Sequence, residues 1–507
     1  DADVEAFIGP DTEVIELQGQ LAIPGLIESH AHFMGIGQAQ LQLNLMEVAN
    51  WDEVIEMVAA AVAEAEPGTL IQGRGWHQEK WDRVPSSNVD GLPLHDALSA
   101  VSPDNPVVLG HASGHAVFAN DRAMEMAGID RNTQPPSGGE IVVDAQGDPI
   151  GVFRETAAGL LGPAYEGAGA ADPRRVAQLA DEEVLSKGIT TLHDAGVGFE
   201  TVDLYKEMVE AGELGVRLHV MLSASNEDLR ARIDDYRLIG HGDHHLTVRS
   251  IKRLIDGALG PHGAWLLEPY EDLPSSTGLN TTSVEIIEET AQIAAEHDFQ
   301  LNVHAIGDRA NRETLDIFQR TFEAFPEKSD FRWRDEHTQH LHPDDIARFG
   351  ELGVIAAMQG IHCTSDAPYV LERLGRERAE EGAYVWQKLM QTGAVISNGT
   401  DAPVEDVDPI PSYYATVSRK LKDGTVFFPE QRMSRMEALE SYTINGAFAG
   451  FEEDIKGSLT PGKLADITVL SKDILTIPEG EIPTAEVVYT IVGGEVKFAK
   501  TGSGGAN

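Results

Sequence analysis

A short apolar run, Leu21-Ala-Ile-Pro-Gly-Leu-Ile27, leads into Ser29-His30-Ala31-His32, and this strand end constrains the fold more than any other segment. Side chains alternate faces along a strand, so His30 and His32 point the same way and can reach one cation. Neutral imidazole is the commonest biological ligand for zinc-like metals. A His-x-His alone is more often a pair of surface histidines, and the rest of the chain decides between the readings. Lys252 in Ser250-Ile-Lys-Arg253, His304 closing Phe299-Gln-Leu-Asn-Val-His304, His337 closing Phe331-Arg-Trp-Arg-Asp-Glu-His337, and Asp401 after Ala394-Val-Ile-Ser-Asn-Gly-Thr400 stand at or just past the C-terminal ends of predicted strands. Helical stretches separate them. In a parallel (β/α)8 barrel such ends converge on the face where catalytic groups gather.

The pattern predicts an α/β chain with barrel strands near 21–28, 189–194, 216–222, 248–255, 300–304, 331–337, 353–358 and 394–398. Helices such as 283–297 and 342–352 alternate with them. The first two strands lie too far apart for one βα unit. The gap holds a predicted helix over 54–66, a strand over 106–110 and a hairpin over 140–148, so residues 65–165 read as an inserted subdomain over the barrel mouth. After Tyr442 the pattern changes to short strands at 466–470, 487–492 and 495–498. The last two flank Gly493-Gly494, a hairpin signal.

At 507 residues the chain is too long for one compact core and suits a large barrel with accessory units. A hydrophobic content of 42% excludes disorder, and no apolar run reaches the ~18 residues of a membrane span. The 83 acidic residues against 38 basic give a net charge of −45, spread through every helix. Self-repulsion on that scale is tolerable where salt screens it, which points to a halophilic cytoplasm. It argues against a nucleic-acid partner, whose phosphates would be repelled. The single Cys363 rules out an intramolecular disulfide, suits a reducing interior and reads as a small buried hydrophobe.

The order His-x-His, Lys, His, His, Asp resembles the amidohydrolase superfamily. It is most similar to amidohydrolase family 3, the YtcJ-like and N-substituted formamide deformylase-like metal-dependent hydrolases. The likeness runs over nearly the whole chain and includes Gly73-Arg-Gly-Trp76, Gly151-Val-Phe-Arg-Glu155, Asp256-Gly-Ala-Leu-Gly260 and Gly457-Ser-Leu-Thr-Pro-Gly-Lys-Leu-Ala-Asp466. It implies a TIM-like barrel over 21–444 and a small β-sandwich built from both chain ends, 1–20 (with Glu13-Val-Ile-Glu-Leu17 as a strand) and 445–500. It also implies a leading segment before Asp1. Its expected metal ligands are His30, His32, Lys252, His304, His337 and Asp401, holding two divalent cations, zinc foremost. Lys252 would bridge them as a carbamate formed with carbon dioxide. On its residues alone, Lys252 could instead pack its stem at a strand edge with its amine in water, but the other ligands favour the bridging role.

Asp401 is the expected proton shuttle, although an Asp there could also be only a turn or cap residue. Glu155 competes with Lys252 as the bridge, but Gly151–Glu155 reads as the end of the insertion, which makes Glu155 a pocket residue. Trp76, His115 and His193 complete the expected substrate pocket, with a core role equally open for His111 and His115. His340 and His342 read as solvent-facing residues at a helix start. The implied activity is hydrolysis of a non-peptide C–N bond, an amide or an N-acyl or N-formyl amine, by a metal-bound hydroxide. The partner would be a small-molecule substrate, with no membrane; a homodimer is left open. The alternatives are a mononuclear deaminase on the same barrel, which would need an acid where Gly307 stands, and a non-catalytic scaffold homologue.

Overall fold

The computed structural model describes residues 7–501 except 11, 13, 47 and 167–170. Eight strands form the barrel: β1 (Leu26–Ala31), β2 (Ile189–Val197), β3 (Arg217–Leu222), β4 (Leu246–Leu254), β5 (Gln300–Ala305), β6 (Arg334–His337), β7 (Ile355–Gln359) and β8 (Ile396–Gly399). Each pairs in parallel with its successor, in sequence order.

The ring closes where β8 meets β1. Asp401 N donates to His30 O at 2.8 Å, and His32 N donates to Ala402 O at 2.7 Å. Buried Glu28 reinforces this seam, its carboxyl accepting from His30 N at 3.0 Å, Thr400 N at 2.9 Å and Thr400 Oγ1 at 3.0 Å. Burial pushes the Glu28 carboxyl up to about 8, with the His30 and Thr400 hydrogen bonds acting the other way. The approach is close enough to require glycine: a Cβ on Gly399 would lie 2.2 Å from Glu28 Oε1 and 2.8 Å from His30 N.

The helices between strands follow from local signals. Ser283 caps Val284–Glu296 by accepting from Ile286 N, and Ile287, Ala291, Ala294 and Ala295 form its buried stripe. Pro343–Leu352 starts on a proline and ends at Gly353 with φ +67°. Among the described residues no helix is long and apolar enough to cross a membrane.

The predicted strand over 21–28 is in fact broken at Gly25. Leu21–Pro24 turns away from the barrel and pairs antiparallel with Ile467–Leu470. Val487–Val492 and Glu495–Ala499 complete this four-stranded sheet. Val14–Leu17 carries no strand, so the N-terminal contribution comes from Leu21–Pro24; Glu13 lies outside the described residues. Between β1 and β2 stands a six-stranded sheet in the order Leu43–Asn44, Ile71–Trp76, Val107–His111, Ala116–Ala119, Pro149–Glu155, Gly139–Val143. Trp51, Trp76, Leu109 and Phe118 pack in a core of its own.

Candidate metal centre

The ends of β1, β4, β5, β6 and β8 bring His30, His32, Lys252, His304, His337 and Asp401 to one mouth of the barrel. Two sets of ligand atoms lie within 4.8 Å of one another: His30, His32 and Asp401, and His337, His362 and Asp401. Asp401 belongs to both. Its Oδ1 is 3.2 Å from His32 Nε2 and 3.6 Å from His30 Nε2. Burial opposes ionisation of Asp401, but His32, His30 and His337 outweigh it and hold the carboxyl well below the usual range. Asp401 (φ +58°) and His337 (φ +80°) both occupy left-handed backbone, which is costly for side-chain-bearing residues and collects at functional sites.

Neighbouring residues fix the imidazole rings. His30 Nδ1 contacts Glu336, which leaves Nε2 toward Asp401. Gln359 Nε2 donates to Ala357 O at 3.2 Å, so its Oε1 faces His337 Nδ1 at 2.8 Å and Nε2 of that ring is left as the ligand atom. Gln339 Nε2 donates to His362 Nδ1 at 3.0 Å, and His362 Nε2 is buried without a hydrogen-bond partner. Asp401 Oδ1 and His304 Nε2 are likewise buried without hydrogen bonds. Imidazole nitrogens around a carboxylate, two of them (His362 and His304 Nε2) without a hydrogen-bond partner, form a donor set that fits divalent cations.

Glu336 is held by Arg334. Burial would raise its carboxyl, but Arg334, His30 and Lys252 bring it down to about 2. Lys252 Nζ lies 3.2 Å from His30 Nε2, and burial lowers its ammonium from the ordinary lysine value. His304 stacks edge-on to His337 with ring centres 4.4 Å apart, and its Nε2 is 3.5 Å from Asp256 Oδ1. It borders the tight ligand sets without joining them.

The insertion supplies the opposite wall. His115 Nδ1 donates to Glu155 Oε2 at 2.9 Å, and its ring centre is 5.2 Å from that of His304. Burial would lower the His115 imidazole, but Glu155, Asp401 and Asp256 raise it above the ordinary histidine value. Two cavities meet at His115, His304, His337 and Asp401. One runs toward His77, Leu259 and Tyr369. The other, about 670 Å³, runs toward Arg74, Thr281 and Thr282.

The sequence profile of the amidohydrolase family matches residues 13–498. The chain belongs to the amidohydrolase family. This amidohydrolase is 32% identical to Protein LONG AFTER FAR-RED 3 of Arabidopsis thaliana, over 97% of this chain and 85% of that protein. It is 27% identical to N-substituted formamide deformylase of Arthrobacter pascens, over 99% of this chain and 93% of that enzyme. Its fold is similar to the crystal structure of an uncharacterized metal-dependent hydrolase from Pyrococcus furiosus, with a TM-score of 0.70, 27% identity, and coverage of 94% of this chain and 92% of that one.

Several expected residues of this amidohydrolase take other places. Trp76 is fully buried in the insertion core, with Nε1 donating to Leu109 O at 2.9 Å; its neighbour His77 lines the cavity instead. His193 does not line the cavity: it sits lower in the barrel with Nδ1 against Arg334 Nη1 at 2.9 Å. His342 does cap its helix, accepting from Asp344 N, but His340 is fully buried against Tyr384 rather than solvent-facing. His362 was missed; its only signal is its place in the first turn of the helix after β7, another strand end. At Gly307, where a deaminase would carry its acid, a Cβ would lie 2.1 Å from Trp265 O, so no side chain fits.

Proposed function

We propose that this amidohydrolase is a binuclear metal-dependent hydrolase that cleaves a non-peptide C–N bond, in an amide or an N-acyl or N-formyl amine. One observation carries the reading: a single carboxylate, Asp401, is shared by two clusters of imidazole nitrogens whose ligand atoms lie within 4.8 Å of one another. His30, His32 and Asp401 would hold one cation, and His337 with Asp401 the other, with His362 or His304 beside it. Bound there, divalent cations, zinc foremost, would polarise a carbonyl and make water nucleophilic at neutral pH. Lys252, its amine favoured in the neutral form by burial, would react with carbon dioxide to give a carbamate and a released proton, and the carbamate oxygens would serve both cations.

Asp401 would take the proton of the attacking water and pass it to the leaving amine. His115, paired with Glu155, would donate to the carbonyl oxygen as negative charge develops there. The named activity of the Arthrobacter pascens relative supports an N-formyl or N-acyl amine as substrate. The acid-rich surface supports a salt-rich cytoplasm as the setting. Elemental analysis of protein purified in high salt, followed by a screen of N-formyl and N-acyl amines, tests the reading. Two metal equivalents and amine release are expected. Fewer than one equivalent, or a metal-loaded protein inert to the whole series, would overturn it.

A further inference from the structure

We propose that the floor of the barrel binds one internal water molecule, held between His193, His219 and Glu452 in front of Gly450. The site lies below the candidate metal centre, and the inference stands apart from the hydrolase reading. A Cβ on Gly450 would have as its nearest neighbours His219 Nδ1 at 3.2 Å, His193 Nε2 at 3.3 Å and Glu452 Oε2 at 3.4 Å. His193, His219 and Glu452 are 0%, 1% and 7% exposed. Neither of the two nitrogens has a hydrogen-bond partner among the described residues. A buried polar group left in that state costs free energy that one bridging water recovers.

The hydrogen bonds behind each ring decide which occupant fits. Burial, then His219 and Arg334, pull the His193 imidazole well below the ordinary histidine value, and burial brings His219 down to about 3, so both rings are neutral. Arg334 Nη1 can only donate, so His193 Nδ1 accepts at 2.9 Å and the ring proton sits on Nε2. Gln300 Nε2 donates to Ala449 O at 2.9 Å, and its Oε1 accepts from Ser250 Oγ at 3.0 Å. With its proton used there, Ser250 Oγ accepts from His219 Nε2 at 3.0 Å, which leaves a lone pair on His219 Nδ1. Burial opposes ionisation of Glu452, but Lys456 and His219 hold its carboxyl below the ordinary value. Its Oε2 pairs with Lys456 Nζ at 2.7 Å and keeps a second lone pair.

Toward Gly450 the floor therefore offers one N–H donor and two acceptors. A metal cation would meet a proton on His193 Nε2, an ammonium could not accept from it, and an anion could not donate to His219 or Glu452. Water does both, accepting from His193 and giving its protons to His219 Nδ1 and Glu452 Oε2. The spacing agrees. Among the described residues these three atoms do not all lie within 4.8 Å of one another, as ligands about 2 Å from one cation would; partners about 2.8 Å from one oxygen can stand further apart. The glycine belongs to the site. Gly450 (φ −92°, ψ 1°) has nearly the conformation of the helix C-caps Ala127 and Ala211, so the turn does not require it. What its missing side chain provides is the space for the water.

A high-resolution crystal structure of the zinc-loaded wild-type protein, with anomalous data at the zinc edge, tests the assignment. The expected result is one oxygen-sized peak without anomalous signal, within hydrogen-bond distance of all three atoms. A zinc peak there, no peak, or a direct hydrogen bond between His193 and His219 overturns it. Gly450→Ala reads the same site in solution. The methyl fits, with its nearest neighbours at 3.2 Å and beyond, and glycine to alanine in a compatible conformation normally stabilises a fold. Here it displaces the water and leaves His193 Nε2 and His219 Nδ1 unpaired, so the melting temperature is expected to fall by several degrees. An unchanged or raised melting temperature overturns the proposal. If the variant does not fold, the wild-type density alone decides between the outcomes.

Discussion

The barrel contains two layers of buried histidine, and they differ in charge. The upper layer gathers His30, His32, His337 and His362 around the carboxylate of Asp401 and opens onto the cavities. The lower layer holds His193 and His219, ring centres 4.7 Å apart, among Arg334, Lys456 and Glu452. There Lys456 pairs with Glu452 at 2.7 Å, Glu452 accepts from Thr247 at 3.1 Å, and Gln300 donates to Ala449 O at 2.9 Å, closing the floor of the barrel. His193 and His219 also have a bare nitrogen each. What they lack is an uncommitted anion: Arg334 and Lys456 would repel a cation. Imidazole count alone therefore does not separate the two layers; a carboxylate with no Lys or Arg ion pair beside the imidazoles does.

The largest expected effect that separates the layers is on turnover. Asp401→Asn keeps the left-handed backbone accessible and the shape nearly unchanged, but would remove the proposed base and weaken the proposed shared ligand. Loss of general-base help alone costs about 10²- to 10⁴-fold in rate. His193→Gln should stay within a few-fold of wild type. Equal losses in both variants would erase the functional distinction between the layers.

Metal content sharpens the same comparison. His30→Gln should lose at least one equivalent on dialysis, whereas His219→Gln, whose ring bonds Ser250 Oγ at 3.0 Å, should keep full stoichiometry. Elemental analysis of the dialysed variants decides it, and metal loss in His219→Gln would assign the lower layer a ligand role.

A third effect is expected in stability. Gly399→Ala would force its Cβ into Glu28 and His30 at the β8–β1 seam, and overpacking of this kind costs about 1–3 kcal/mol. Denaturant midpoints would show it. The smallest expected effect is a general one: the melting temperature should rise from low to molar salt, because screening reaches the acidic surface and leaves the buried layers untouched. A flat or falling curve would remove the halophilic reading.

The barrel and the order of its strand-end residues were legible because strand, helix and polar terminus recur in one repeating pattern. The break at Gly25 was not, since Leu21–Ile27 is uniformly apolar and only tertiary pairing with Ile467–Leu470 divides it. His193 was misplaced because the height of a residue in a barrel depends on stagger between strands. Trp76 was placed in the pocket because the irregularity at Gly75 (φ +109°), where the pairing register shifts between Arg74 and Trp76, breaks the alternation of faces and turns Trp76 into the insertion core. His362 escaped because it stands one helical turn beyond its strand end, where no strand alternation marks it. The Arg334–Glu336 pair, two residues apart on one strand, could have been read from the same alternation that exposed His30 and His32.

The insertion leaves the barrel after β1 and returns before β2, and it carries Arg74, His77, His115 and Glu155, while the ligand sets belong wholly to barrel strand ends and the turns after them. The candidate metal ligands and most of the cavity lining contributed by the insertion are thus written on separable stretches of chain. On the proposed reading, drift in the inserted sheet from Leu43 to Glu155 would re-aim the enzyme toward new compounds without touching the metal-ligand sets, and grafting this stretch between relatives would be a route to redesigned selectivity.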